Sequence, residues 1–510
     1  KKRESIIRNI QQREKQKRSW EKIQFAVRKK KGFGVSRLGI PLGMENAPTE
    51  EILQYLSDYN NKPKWVFITD PEEIDKRLWE WQLFHYNQAG ETPLSTPSWK
   101  QRLDPRTKTN QELDDIMEGS VFSQSDLPAE AKMFFKHLTN NIRPQLSDKS
   151  IEINKSVFQT FYRRARESTS SSPSNLHLGH WKAAPYDDDI SSVLASIIQI
   201  AVENEYPLKR WQKVISVLLE KISGNPYIHK FRTIHLVESD LNFVVLRYIW
   251  GKQLMHHNVL SLHSNQYGGR TGVQGQSAAL NKTLTMDIIR HYGDPAALVD
   301  KDAQARYDRL IPVVLSLALI RLGLPPHLTR FMCRWLEDSE YSIKLSHGVS
   351  KHSYTSTLEQ YLFGTGQGTG WSPPNWSAIS DIISSAMEEN SPGMHLIHPN
   401  NIIFSTRSFD AFVDDVNGGL TEDGMKVYHP PTTSAVPLMA TIYEQIKTNI
   451  QFYARLLFTS RGKLALHKCF CYIIEFKWYK GKKTMVNTAD KYPPLSIDQT
   501  FKNVPHTIKL

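Results

Sequence analysis

The period of the apolar positions changes several times along this chain, and each change marks an element. Residues 1 to 31 read as a helical arm that breaks at the glycines of "GFG". Residues 47 to about 160 mix amphipathic helical stretches, such as "EEIDKRLWEWQLFHYNQ", with proline-rich breaks. The polar, Ser-rich stretch "ESTSSSPSNLHLGHWKAAP" reads as a loop. From Trp211 strands and helices alternate. "KVISVLLEKISGNPYIHKFRTIHLVE" predicts two strands joined by a Gly-Asn-Pro turn, and helices follow over about 241–258 and 273–291. "AALVD" at 296–300 predicts a buried strand that ends in an acid. After Trp478 the chain keeps strand-like alternation and prolines, with no helical period. This mixture predicts an α+β or α/β architecture, and 510 residues are enough for about three domains.

Composition narrows the class. A hydrophobic content of 40% supports packed cores and excludes a disordered chain. The longest apolar run, "LIPVVLSLALI", stops at Arg321 after eleven residues, short of the roughly 18 that span a bilayer. It reads as a core helix, so no membrane is expected, and no signal peptide is visible. Cys333, Cys469 and Cys471 make no disulfide framework and suit a reducing compartment. Cys469 and Cys471 are two apart in a strand-like run, which predicts buried structural thiols on one face. His177 and His180 have HxxH spacing, but without an intervening glutamate or a third ligand they predict no metal site. Charge is uneven: thirteen Lys/Arg against three Glu in residues 1–31 supply ten of the twelve net positive charges. Lys29, Lys30 and Lys31 close that arm, which is a nucleic-acid contact, a linker or a solvated helix face. The chain begins with Lys1, as a fragment of a longer protein would.

Candidate chemistry gathers in four stretches. "AFVDDVN" places Asp414 and Asp415 side by side after an apolar run and before the turn residues "NGG". Two adjacent carboxylates repel, so they are either a solvated turn or a site for a cation whose charge removes the repulsion. "LVDKDAQARYDRL" delivers Asp300 and Asp302 from a short apolar strand, with Tyr307 five residues after Asp302. "GTGQGTGWSP" sets glycines, Gln367 and Gly368 ahead of a helix start, where backbone can approach a ligand closely. "GKLALHKCF" holds Lys468 between a turn and a strand.

Taken in chain order, with Asp302 first, then "GTGQGTGWSP", "AFVDDVN" and "GKLALHKCF", the four stretches resemble the palm of a reverse transcriptase, of the kind carried by non-LTR retrotransposons of microbial eukaryotes. Asp302 with Tyr307 and Asp308 is similar to the first palm motif. "GTGQGTGWSP" agrees with GxxQGxxxSP at every fixed position, "FVDD" is a variant of aromatic-x-Asp-Asp, and Lys468 fits the motif that follows. Upstream, Arg232 stands in the place of the basic fingers motif. "NQYGGRTG" and "SPSNLHLGH" are similar to further segments of these elements. The resemblance covers about residues 160 to 480, with a weaker echo from 47.

The resemblance implies an α+β fold with the fingers and palm of a right-hand polymerase. Residues 1–46 would be a basic helical arm, 47–160 a helical N-terminal extension, 161–295 fingers and 296–480 palm. Residues 481–510 would begin a thumb or primer-grip region that is truncated. The implied activity is RNA-directed DNA synthesis, with an RNA template, a DNA primer and dNTPs as partners and two Mg²⁺ ions as cofactors, Mn²⁺ being a substitute. Two such ions, roughly 3.5–4 Å apart, clamp the attacking hydroxyl and the leaving oxygen. Asp302, Asp414 and Asp415 would be the catalytic ligands, with Asp300 a competitor for the place of Asp302. Tyr307 would exclude the ribose 2′-hydroxyl. Lys230 and Arg232 (with Lys221 a further candidate) would bind the triphosphate, while Gln367 and Gly368 would pack under the nascent pair. Lys468 would protonate the pyrophosphate or be merely solvated, and Phe412 and Val413 would touch the primer end. Neither an endonuclease motif set nor an RNase H acid cluster is evident, so an endonuclease would lie outside this chain or on an element-encoded partner. Such a protein would work inside the cell, in a nuclear or cytoplasmic ribonucleoprotein. An RNA-templated RNA polymerase and a decayed, RNA-binding copy are the rival readings.

Overall fold

The computed structural model describes residues 34–510 except 58–60, 89–91, 166–172, 175, 177, 271, 358–360, 398–402, 414, 429–437, 489 and 503. Lys29, Lys30, Lys31, Asp414 and His177 therefore lie outside the described residues. The fold is mixed α+β, and the chain divides into two compact units that interleave in sequence.

One unit comprises the chain to His85, Lys213–Leu236 and Glu340–Thr355. Its main sheet has four strands in the order Phe231–Leu236, Lys213–Glu220, Glu340–Leu345, Gly348–Tyr354. The first two pair antiparallel, from Ile215 opposite Leu236 to Glu220 opposite Phe231, as the alternation in "KVISVLLE" and "FRTIHL" predicts. Val214, Ser216 and Leu218 face inward, as do Phe231, Thr233 and His235. The connection is the ten-residue segment 221–230, longer than a tight Gly-Asn-Pro turn. The third strand joins Lys213–Ser216 in parallel and answers to no expectation from the sequence. A buried hydrogen bond of 2.8 Å between the Ser216 and Tyr354 hydroxyls ties the second and last strands of this order.

The other unit comprises Tyr86–Gln212, Val237–Ser339 and Ser356–Leu510. Its central sheet is antiparallel, in the order Phe409–Phe412, Asp415–Thr421, Ala296–Asp302, Phe470–Ile474. Ala296, Ala297, Leu298 and Val299 are all buried, because both faces of this strand are covered. On one face, Ile289 of helix Gly275–Tyr292 packs with Ala296, Leu298, Met394, Leu396 and Ile474. On the other, helix Leu438–Thr459 packs on the strand, and the Lys301 ammonium lies 4.3 Å over the Tyr453 ring. Helix Pro312–Arg321 is buried all round, the core helix that its apolar run predicts. It ends where Arg321, itself buried, pairs with Asp381 at 2.6 Å. Among the described residues no helix is long and apolar enough to cross a membrane.

Two local readings change. Residues 178–186, expected as loop, wind into helix Leu178–Ala183 and the 3₁₀ turn Ala184–Tyr186, because Leu178, Trp181 and Pro185 are drawn into the core. The helix expected over 241–258 is present, but Asp240–Leu254 has the wider π winding before a last α turn at Met255–His257. Cys469 and Cys471 are free and buried, as their strand-like run predicts, and Cys333 is free and buried as well.

Candidate active site

The antiparallel ladder sets Asp415 directly opposite Asp302, and Asn417 opposite Asp300. Residues opposite one another in such a pair lie about 4.5–5.5 Å apart and point to the same face. Phe412 stands opposite Asp415 from the neighbouring strand, so Phe412, Asp415 and Asp302 form one row at the sheet's end. Lys468 enters from the short turn Leu466–Lys468, and its ammonium donates to Asp302 Oδ2 at 2.9 Å. The turn is anchored nearby, since the Ala465 amide donates to the Asp302 carbonyl at 2.9 Å.

Asp300 has a different setting. Lys282 donates to both of its carboxylate oxygens at 2.7 Å, and Asn417 Nδ2 donates to one of them at 2.7 Å. Its charge is neutralised and its lone pairs are engaged from the adjacent helix and strand. Asp302 carries only the exposed Lys468 among these, and the Asp415 side chain is exposed. Between the two acids the strand turns Lys301 to the opposite face, where burial pushes its ammonium down to about 8.

The end of the hairpin is clamped by a segment distant in sequence. Val413 adopts φ +62°, a left-handed conformation unfavourable for a β-branched residue. Such strain persists only where the surroundings over-determine it. Gln266, itself buried, accepts from the Val413 amide at 3.1 Å and donates to its carbonyl at 3.2 Å. Trp376 Nε1 donates to the same carbonyl at 2.6 Å. Alongside, the Tyr267 amide donates to the Ala411 carbonyl at 2.7 Å, and the Ala411 amide to the Asn265 carbonyl at 2.8 Å. Gly268 permits this approach: a Cβ there would fall 2.3 Å from the Val413 nitrogen. Gln266, Gly268 and Trp376 are functional candidates that periodicity cannot find. Their only signal is that Gln266 and Gly268 fall in "NQYGGRTG" and that Trp376 comes three residues after "GTGQGTGWSP".

Tyr307 sits in the turn Arg306–Asp308, with the Arg306 guanidinium 4.5 Å over its ring. The glycine-rich loop docks on that turn. The Thr365 amide donates to the Tyr307 carbonyl at 2.7 Å, and Gln367 Nε2 donates to Asp308 Oδ2 at 3.3 Å. Gly364 has φ +91°, and a Cβ on it would lie 2.6 Å from both Asp308 Cα and the Tyr307 oxygen. Gly368 completes the loop before helix Ser372–Asn390. Tyr307, Gln367 and Gly368 thus belong to one structural cluster.

Lys230 and Arg232 belong to the other compact unit. Arg232 is exposed, opposite Leu219, and Lys230 lies just before the strand, its carbonyl accepting from the Lys221 amide at 2.9 Å. Between Lys221 and Lys230 in this basic loop, His229 stacks 5.5 Å from the Trp65 ring. Burial first, and then repulsion from Lys230 and Lys221, pushes its imidazole from 6.5 down to about 4. The folded pKa lies below the unfolded one, so the contribution to stability is complete above pH 6.5 and is lost as pH falls toward 4. Replacing His229 with Phe should remove about 1–2 kcal/mol of that acid-side loss, a figure discounted for partial exposure. Denaturant melts between pH 4 and 7 check this, and an identical acid limb in the variant would place the proton linkage elsewhere. No family model and no curated protein matches the chain.

Proposed function

We propose that the chain is an RNA-directed DNA polymerase of the reverse-transcriptase type, from a non-LTR retroelement. In this reading the unit holding the Lys213–Glu220 sheet acts as fingers, and the unit holding the Ala296–Asp302 sheet acts as palm. The observation that carries it is the register: Asp302 and Asp415 are opposite one another, beside Lys468, and Asp414 adjoins Asp415 in the sequence.

Paired, accessible carboxylate oxygens suit a hard divalent cation. Asp302, Asp414 and Asp415 would hold two Mg²⁺ ions, which when bound supply charge neutralisation at the attacking and leaving oxygens of nucleotidyl transfer. The chain's own residues do the rest. Lys468 keeps a proton at Nζ for the departing pyrophosphate, within reach of Asp302. Gln367, fastened to Asp308, and Gly368 form a fixed floor for the base pair. Phe412, partly exposed in the same row as the acids, is an apolar rest for the primer end.

Primer extension on poly(rA)/oligo(dT) with Mg²⁺ tests the reading. Incorporation of dTTP that is lost in Asp414→Asn supports it, and a folded chain that extends no primer under any template, with Mg²⁺ or Mn²⁺, overturns it. Tyr307 adds a specific expectation. Tyr307→Val should raise ribonucleotide use relative to deoxyribonucleotide by on the order of tenfold, about 1.4 kcal/mol of lost discrimination. Single-nucleotide incorporation measures this ratio, and an unchanged ratio would transfer the gate to Phe412.

A further inference from the structure

Helix Asp188–Glu203 is apolar on two faces. Ser191, Ala195, Ile198 and Val202 turn inward and are buried. Opposite them, Ile190, Val193, Ile197 and Ile200 are 50%, 59%, 44% and 59% exposed. Their 3-4-3 spacing is that of a coiled-coil seam, and it forms a continuous stripe along more than two turns. A surface helix ordinarily places charged or polar residues there, and a contiguous exposed apolar stripe marks an interaction surface. Tyr186, in the 3₁₀ turn two residues before the helix, is 82% exposed.

The rim of the stripe has a sign. Asp189, Ser196 and Glu203, seven residues apart, border it on one side, and both acids are exposed. The other acids nearby are already engaged: Asp188 accepts from Lys155 at 3.1 Å, Asp187 caps its own helix, and Glu205 pairs with Arg330 at 2.7 Å. Glu203 accepts from the neutral Gln199 side chain, and Asp189 has no ion pair among the described residues. Residues 183–208 contain no Lys or Arg at all. In coiled-coil packing, charges flanking the seam select the partner.

We infer that this stripe docks an amphipathic helix of another protein, with aliphatic residues at 3-4 spacing and Lys or Arg along its flank. A second copy of the chain fits less well: two copies packed antiparallel would set Asp189 of one against Glu203 of the other. The same acids disfavour an anionic lipid surface.

The test uses the full chain and two labelled 21-residue helical peptides with an Ile/Leu seam, one flanked by Lys and the other by Glu. The Lys-flanked peptide should bind at least tenfold more tightly by fluorescence anisotropy. Val193→Ser with Ile197→Ser should weaken it at least tenfold without changing the thermal melt, since both positions are exposed. Asp189→Lys with Glu203→Lys should reverse the preference between the peptides. Equal binding of the two peptides, or binding that survives the double serine variant, overturns the inference. So does self-association by sedimentation that the serine variant abolishes, because the stripe would then belong to a second copy.

Discussion

Asp302→Asn should lower deoxynucleotide incorporation by about a thousandfold or more while template–primer affinity stays within a few-fold. Losing one carboxylate ligand removes transition-state stabilisation of several kcal/mol, and each 1.36 kcal/mol is a factor of ten in rate. Little stability should be lost, because among the described residues the ion pair broken is the one with Lys468, whose side chain is 56% exposed. Asp300→Asn should give the opposite pattern. It removes the charge that receives Lys282 on both oxygens, and it disturbs the Asn417 contact, so the melting midpoint should fall. Its effect on rate should be less than tenfold. Primer extension and thermal melts on the two variants separate the roles. If Asp302→Asn keeps a tenth of the parent rate, or if Asp300→Asn alone stops chemistry in a fully stable protein, the ligand assignment is wrong.

Gly268→Ala should cost on the order of a hundredfold in incorporation although no charge or ligand changes. The added Cβ would meet the Val413 nitrogen at 2.3 Å and Val413 Cγ2 at 2.4 Å. A side chain could turn away, but the backbone nitrogen cannot, so the hairpin end must shift. Val413 adjoins Asp414, and Asp415 follows two residues on. A displacement of about 1 Å at a reacting centre is enough for a hundredfold loss. Gly275→Ala is the control, since its Cβ would meet only the Phe412 ring, at 3.2 Å, where a side chain can give way. The expectation is a strong activity loss at 268 and a mild one at 275, with both proteins folded by circular dichroism. Equal, small effects at both positions would show that the clamp does not govern the chemistry.

Much of the secondary structure was legible because periodicity is a local property. The continuous apolar run of "AALV" belongs to a strand covered on both faces, and "PVVLSLALI" to a helix buried all round. "GTGQGTGWSP" read as a close-approach loop before a helix, and Gly364 against Asp308 supplies the steric reason. The hairpin at the paired acids followed from the apolar run and the two carboxylates, and Phe412 does stand opposite Asp415. "NGG", however, read as turn residues, lies inside strand Asp415–Thr421, where Asn417, Gly418 and Gly419 pair with Asp300, Val299 and Leu298. The short helix at 178–183 was not legible, because its polar surroundings hide two residues that are buried only by tertiary packing.

What tertiary structure alone decided is everything that depends on a partner far along the chain. Period two put Asp300 and Asp302 on one face, and Tyr307 five residues after Asp302 was the sequence's reason to prefer it. Lys282 and Asn417 distinguish them, by occupying one carboxylate and leaving the other to Lys468. The parallel pairing of Lys213–Ser216 with Glu340–Ile343 is set by register across more than a hundred residues, to which no local pattern corresponds. The clamp on Val413 has the same origin. Gln266 and Trp376 lie 147 and 37 residues from it in sequence, and only folding brings their polar atoms to one strained peptide. Sequence pattern specifies which face of an element is buried; which side chains then meet is fixed by packing, where a single contact of 2 to 3 Å decides what a residue can do.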